Sequence, residues 1–288
     1  MAHISTLISD VLDASFGRHG KPSTELKKKY SDLVVDNYDK LTEEADPWKV
    51  RGLRLSSVGK CARAVWYDGH KGYASLPFDS NMKLKFHIGD CLELSCLLLA
   101  ELSGHEVTRA QETVEVNGVI GHIDAVIDGV LIDIKSCSGF AFKKYQTGKL
   151  HEDDPFGYRH QLSAYAHALG IKKAALWVIN KETGEQLLYN FQERDFTDVV
   201  PRVEFLKEAI SCSNPPNREY GEELDGKSGN KKLGINCRYC SHKHNCWGEI
   251  VRVFQYSTGE VYLTEVAREP NVPEITKQVK EDWSQWQH

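Results

Sequence analysis

Residues 121–135, GHIDAVIDGVLIDIK, hold the side chains of this chain best spaced to do chemistry. Asp128-Gly129 is a strong hairpin signal, a two-residue turn that needs positive φ at both positions. A hairpin closed there sets Ile127 opposite Val130, Val126 opposite Leu131, Asp124 opposite Asp133 and His122 opposite Lys135. The strand period of two then gives one face of Ile123, Ala125, Ile127, Val130, Ile132 and Ile134, all apolar. The other face carries Val126 and Leu131, then the two facing aspartates, then His122 and Lys135. Like charges directly across a ladder repel. The pair is therefore expected to hold a divalent cation, the plainer alternative being the solvated face of an edge hairpin.

Three further segments must position these groups. Residues 79–103 read as the longest helix, starting near Asp79-Ser80 and stopping at Gly104, with Leu84, Ile88, Cys91, Leu94 and Leu98 as its buried stripe. Gly89 and Glu93 lie four apart on one face of that helix, with His87 and Asp90 as competitors for any role of Glu93. Residues 106–116 alternate enough for a strand. Tyr158 to Leu169 reads as a helix ended by Gly170, with Gln161 and Tyr165 on one face, and Ala174 to Ile179 as an apolar strand.

Gly-x-x-Asp followed by Asp-x-Lys, here Gly121, Asp124, Asp133 and Lys135, resembles the active-site signature of the PD-(D/E)XK nucleases, in particular their RecB-like branch. Two more motifs fall in that branch's order: Gly89-x-x-x-Glu93 before the hairpin and Gln161-x-x-x-Tyr165 after it. The resemblance implies a restriction-endonuclease-like α/β core, with a mixed, mostly antiparallel sheet flanked by helices. It implies Asp124, Asp133, Lys135, Gln161 and Tyr165 as catalytic residues. Glu93, Asp124, Asp133 and the main-chain carbonyl of Ile134 would bind Mg²⁺ or Mn²⁺, as suits hard oxygen donors.

Cys237, Cys240 and Cys246 form a second constellation. Three cysteines within ten residues signal a metal site. The fourth ligand is missing locally, and Cys61 is the natural supplier. This spacing resembles the iron–sulfur members of the RecB-like family, including CRISPR-associated exonucleases, where one cysteine precedes the nuclease core and three follow it. A [4Fe-4S] cluster is the expectation; zinc completed by His242 or His244 is the alternative. Cys91, Cys96, Cys137 and Cys212 lack such spacing and read as structural. Gly221 to Ser228 satisfies the phosphate-loop pattern but carries three acids and follows no buried strand, so it is rejected.

With 288 residues, 41% hydrophobic and 27% charged, the chain can bury a substantial core. It shows no apolar run of the ~20 residues that a membrane span needs, and no signal-peptide pattern. A cytoplasmic protein with reduced cysteines and no membrane partner is expected. The net charge of −5 does not suggest a nucleic-acid binder, but the cations are unevenly placed. Lys49, Arg51, Arg54, Lys60 and Arg63 occur with no acid between Asp46 and Asp68. Closing Cys61 onto the later cysteines would bring them near Lys231, Lys232, Arg238 and Lys243, forming one basic surface. Lys143 and Lys144, interleaved with Phe140, Phe142 and Tyr145, suit the path of a single strand, the alternative being a solvated loop. Lys60, Arg63, Lys143, Lys144, Lys231 and Lys232 are thus the expected DNA contacts.

Residues 1–46 read as a helical extension, 47–250 as the nuclease domain with its cysteine clamp, and 251–288 as a hairpin and a tail containing Trp283 and Trp286. The expected function is metal-dependent hydrolysis of DNA ends or single strands, exonuclease before endonuclease, in recombination or repair of a phage or CRISPR type. A partner from recombination or CRISPR adaptation goes with it. A non-catalytic or zinc-stabilised DNA-binding module is the alternative.

Overall fold

Local turn and cap chemistry places most element boundaries in the computed structural model, which describes residues 2–285. Helices α1 (Leu7–Ser15) and α2 (Thr24–Thr42) come first, the second capped by the Ser23 hydroxyl, which accepts from Leu26 N. Helix α3 (Ala62–Gly69) follows. Helix α4 (Ser80–Leu102) begins where the Asp79 carboxylate accepts from Met82 N. Next come β1 (Val107–Thr108), β2 (Thr113–Val116), β3 (Val119–His122), β4 (Ala125–Ile127) and β5 (Val130–Cys137). Helices α5 (Gly139–Gln146) and α6 (Tyr158–Leu169) follow, α6 stopping at Gly170 in the left-handed region, φ 65°. Strands β6 (Ala174–Asn180) and β7 (Gln186–Asn190) then lead to α7 (Val199–Ser211). The remainder is β8 (Glu222–Leu224), β9 (Lys231–Leu233), α8 (Ile235–Arg238), α9 (Lys243–Trp247), β10 (Arg252–Tyr256), β11 (Gly259–Glu265) and α10 (Thr276–Ser284).

The chain divides into two compact units. The first comprises Met1–Glu44, Arg54–Val58 and Phe78–Val203. Its five-stranded sheet runs β1-β4-β5-β6-β7 and is mixed: β5 and β6 are parallel and the other neighbours antiparallel. This is an α/β architecture. Ala125, Ile127, Val130, Ile132 and Ile134 form a core with Leu7 and Val11 of α1, Tyr30 of α2, and Leu94, Leu97 and Ala100 of α4. Val126 and Leu131, on the opposite face, are buried too, and α6 packs on β5 while α5 packs on β6 and β7.

The expected turn is present. Asp128 and Gly129 have φ of 50° and 77°, and the register Ile127–Val130, Val126–Leu131, Ala125–Ile132 follows. Beyond Ala125 the expected ladder fails. His122 pairs with Thr113 in a separate two-stranded sheet of β2 and β3, so it does not face Lys135. Asp124 lies between the two sheets, outside any ladder. The expected strand 106–116 is also interrupted, because Arg109 and Gln111 have φ of 53° and 59°. These positive φ values turn the chain so that Gln111 N donates to Asp124 O and Ile123 N donates to Glu112 O, both at 3.1 Å.

Burial along α4 starts only at Leu94; Leu84 and Ile88 of the expected stripe are exposed. Its 23 residues span ~34 Å at 1.5 Å per residue. The eight residues of β5 span ~26 Å, so the sheet cannot back the whole helix. Residues 139–146 are helical rather than a loop, with Phe142 and Tyr145 buried on one side of α5.

The second unit comprises Ala45–Leu53, Gly59–Pro77 and Glu204–His288. Its antiparallel sheet runs β10-β11-β9-β8, closed by the expected turn between Tyr256 and Gly259. Trp247, Val253, Tyr262, Val279 and Trp283 form its core, and Cys237 and Cys246 pack against it. Trp286 lies outside the described residues. Glu222–Leu224 pairs with Lys231–Leu233 as a hairpin, which accounts for Gly221 to Ser228 without a phosphate site. Cys61 is the residue before α3, after a single turn of 3₁₀ helix, Leu55–Ser57.

Gly121 of β3 is the tightest glycine of the first unit. A Cβ there would sit 2.7 Å from Tyr165 Cε1 and 2.8 Å from Leu55 Cβ. Gly121→Ala should therefore destabilise the fold by about 1–3 kcal/mol, as overpacking of a filled core does. Denaturant unfolding checks this, and an unchanged midpoint would show that Tyr165 gives way freely.

Candidate functional site

The sheet break delivers Asp124 to its place. With no ladder partner, its Oδ2 accepts from Ile134 N at 2.6 Å. That bond crosses the hairpin and sets Asp124 beside β5. Asp133 lies on β5 and is 1% exposed. Its Oδ2 forms an ion pair with Lys135 Nζ at 2.7 Å. Gln161 Nε2 lies 3.4 Å from Asp133 Oδ1 and 3.3 Å from the Tyr165 hydroxyl, both as donor. Gln161 and Tyr165 thus share one face of α6, aimed at the hairpin.

Glu93 enters from α4, where its Oε1 accepts from Gln111 Nε2 at 2.6 Å. A Cβ on Gly89 would lie 3.7 Å from Ser136 Oγ, an ordinary contact, so α4 runs beside β5 there without requiring glycine. The competing His87 stacks against Tyr38 and lies 3.6 Å from Cys91 Sγ through its Nε2, so it serves the packing of α2 on α4.

The electrostatics follow from crowding acids in a poorly hydrated place. Burial raises the pKa of Asp124 well above the carboxylate range, and the charges of Asp133 and Glu93 add to the rise. Burial likewise pushes Glu93 up to about 7, against the Gln111 hydrogen bond and the charge of Lys135, which lower it. Burial alone would lower the pKa of Lys135, but Asp133 and Asp124 more than reverse this, so Lys135 is held as a cation. One lysine faces three carboxylates, and the set has room for positive charge. Oxygen donors of this kind suit Mg²⁺ or Mn²⁺. Ile134, the fourth expected ligand, belongs to the β5–β6 ladder opposite Trp177, with its amide committed to Asp124.

Two residues of this site escaped sequence reading. Gln111 carried no signal, because nothing in its neighbourhood marks a left-handed residue. Tyr158 holds its ring 5.5 Å beneath Lys135 Nζ. Its position three residues before Gln161 on the same helix face could have revealed it.

In the second unit Cys61, Cys237, Cys240 and Cys246 line one pocket, together with Arg63, Tyr67, Arg218 and Trp247. The chain around Cys61 is tied to that around the trio. The Tyr67 hydroxyl donates to Asn245 O, Asn245 Nδ2 donates to Ala74 O, and Leu76 N donates to Ser241 O. Burial pushes the thiols of Cys237 and Cys240 up to about 11 and about 12. Arg218 Nε donates to Cys246 Sγ at 3.4 Å. Four thiols and a cation facing one pocket fit an anionic sulfur-ligated group. Among the described residues, no group of three or more His, Cys, Asp or Glu is drawn together as a ready-made metal-ion site, which holds for these cysteines and for Glu93, Asp124 and Asp133 alike. His242 has both ring nitrogens engaged, Nε2 with Asp68 at 3.0 Å and Nδ1 with Asn245 at 3.1 Å.

The expected DNA contacts differ in their surroundings. Lys143 is exposed on α5, whereas Lys144 pairs with Asp153 at 2.6 Å. Lys231 pairs with Glu265 at 2.5 Å and Lys232 with Asp225 at 3.1 Å. Arg63 turns into the cysteine pocket, donating to Pro216 O at 2.8 Å, and Lys60 is exposed. Glu265 and Asp225, which pair with Lys231 and Lys232, are brought to them by the fold of the second unit.

No protein-family model and no curated protein matches the chain. Among solved structures it is similar to SSO0001, whose crystal structure it matches with a TM-score of 0.38 and 17% identity, over 74% of this chain and 93% of that one. A likeness at that score carries no argument. No helix among the described residues is long and apolar enough to cross a membrane.

The raised pKa of Glu93 has a measurable sign. The fold prefers its protonated form, so that contribution to stability is fully present below about 4.5 and lost as pH rises through about 7. With chelator present, the melting temperature of the protein should fall between about pH 5 and pH 8, and Glu93→Gln should reduce that slope. Equal slopes for the two proteins would show that Glu93 is not desolvated.

Proposed function

We propose that the chain is a Mg²⁺- or Mn²⁺-dependent deoxyribonuclease of the RecB-like PD-(D/E)XK type, acting on DNA ends or single strands. The observation that carries this reading is that Asp124 and Asp133 of the hairpin and Glu93 of α4 act on one another's charge, with Lys135 paired to the buried Asp133 as their one cation. Burial penalises the charge of Asp124 and Glu93, as the solvated face of a structural hairpin would not.

Asp124, Asp133, Glu93 and the main-chain carbonyl of Ile134 would hold the ion. When bound, it would activate a water for attack and neutralise charge developing on the phosphate. Lys135, held as a cation, would orient that water and offset the same charge. Gln161 and Tyr165 would position the DNA strand. A phosphodiester bond would break with water as the nucleophile, leaving a phosphate on one product and a hydroxyl on the other. Exonuclease action in recombination or repair comes from the motif resemblance, as does a recombination or CRISPR-adaptation partner. The four cysteines would hold a [4Fe-4S] cluster with a structural role in the second unit. The engagement of both His242 nitrogens favours Cys61 over that histidine as fourth ligand.

Asp133→Ala should reduce cleavage of end-labelled single- or double-stranded DNA in Mn²⁺ by on the order of a thousandfold or more, with the fold retained. Undiminished activity in that variant would sink the assignment.

Anaerobically purified protein should be brown and contain iron and sulfide. Cys61→Ser should lose them, and Cys212→Ser should keep them. Full metal retention in Cys61→Ser would refute its place as a ligand.

A further inference from the structure

Gln111 occupies a conformation that its side chain does not favour. Its φ of 59° lies in the left-handed region, which non-glycine residues enter at a cost and which an Asn or Gly would adopt more readily. Nothing local demands a glutamine there, since a turn served only by backbone geometry would do better with glycine. Strain of this kind persists where surrounding contacts over-determine it.

Those contacts are to two acids of the candidate site, which come from distant parts of the chain. Gln111 N donates to Asp124 O at 3.1 Å, holding the segment that leaves the sheet. Its side-chain Nε2 donates to Glu93 Oε1 at 2.6 Å, holding a carboxylate on α4. One residue thus grips the helix acid and the hairpin acid at once, and the left-handed turn is what lets it do so. The adjoining bonds, Glu112 N to Arg109 O and Ile123 N to Glu112 O, brace the turn against the same break.

We infer that Gln111 is a positioning residue of the candidate metal site, holding the Glu93 carboxylate against the segment that carries Asp124. The inference rests on the nuclease reading above. It goes beyond that reading by assigning a role to a residue outside its motifs.

The role separates stability from function. Gln111→Gly relieves the backbone but removes the grip on Glu93. The variant should melt at the same or a higher temperature in chelator than the parent protein. Its Mn²⁺ affinity, measured by calorimetry, should fall about ten- to a hundredfold, the usual effect of losing a partner that orients a ligand. Gln111→Asn tolerates the same φ but is one methylene too short, and should lose affinity similarly while keeping the fold. Mn²⁺ binding at parental affinity in both variants overturns the inference. If the parent protein binds Mn²⁺ and Asp133→Ala does not, the reading of the site stands whatever Gln111 does. If the parent protein binds no Mn²⁺, both fall.

Discussion

A single hydrogen bond, from Ile134 N to the carboxylate of Asp124, organises the first unit's candidate site. It exists because the chain abandons its ladder between His122 and Ala125, leaving Asp124 free to reach across the hairpin. Had the ladder continued, the two aspartates would face each other across it as a repelling pair. The break costs pairing, and the costs are met locally: His122 finds Thr113, Ile123 finds Glu112, and Asp128 at the apex accepts from both His105 and Glu106 N.

That apex is secured from the opposite side of the sheet. His105, almost fully buried, lies 2.7 Å from Asp128 and 3.3 Å from Asp10 of α1. His105 N also donates to Ala100 O, so the residue that holds the turn is bonded to the last turns of α4. Helix and hairpin are thus linked at two places, through His105 to the apex and through Glu93 and Gln111 to the segment at Asp124. Between those places, Leu94, Leu97 and Ala100 supply the apolar contact. Charge can be concentrated at one end of such a frame because packing, which does not depend on charge, holds the other.

Much of this was legible in the residues because its causes are local. Asp128-Gly129 specifies its own turn, Asp79 and Gly170 bound their helices, and four-residue spacing puts Gln161 beside Tyr165. What was not legible depends on partners far along the chain. The left-handed Arg109 and Gln111 are ordinary residues in conformations imposed by distant contacts. Leu84 and Ile88 follow the helical period, yet no sheet lies behind them. α5 is not evident as a helix because its lysines draw attention from Phe142 and Tyr145, whose spacing is helical. Lys231 and Lys232 looked free because Glu265 and Asp225 reach them only through tertiary pairing. The cysteines were legible as a set since metal ligands are recognisable by type, while the bonds knitting Tyr67 and Ala74 to Asn245 were not.

The way the chain is shared between the two units limits how it can be taken apart. Each unit is assembled from three separate segments that alternate along the sequence. No single truncation yields one unit whole, and no boundary exists at which one could be grafted elsewhere without carrying pieces of its neighbour. The pair is therefore a unit of inheritance as well as of synthesis. Recombination between related genes could exchange surface loops within it, but it could not swap the cysteine-bearing unit for another as a cassette.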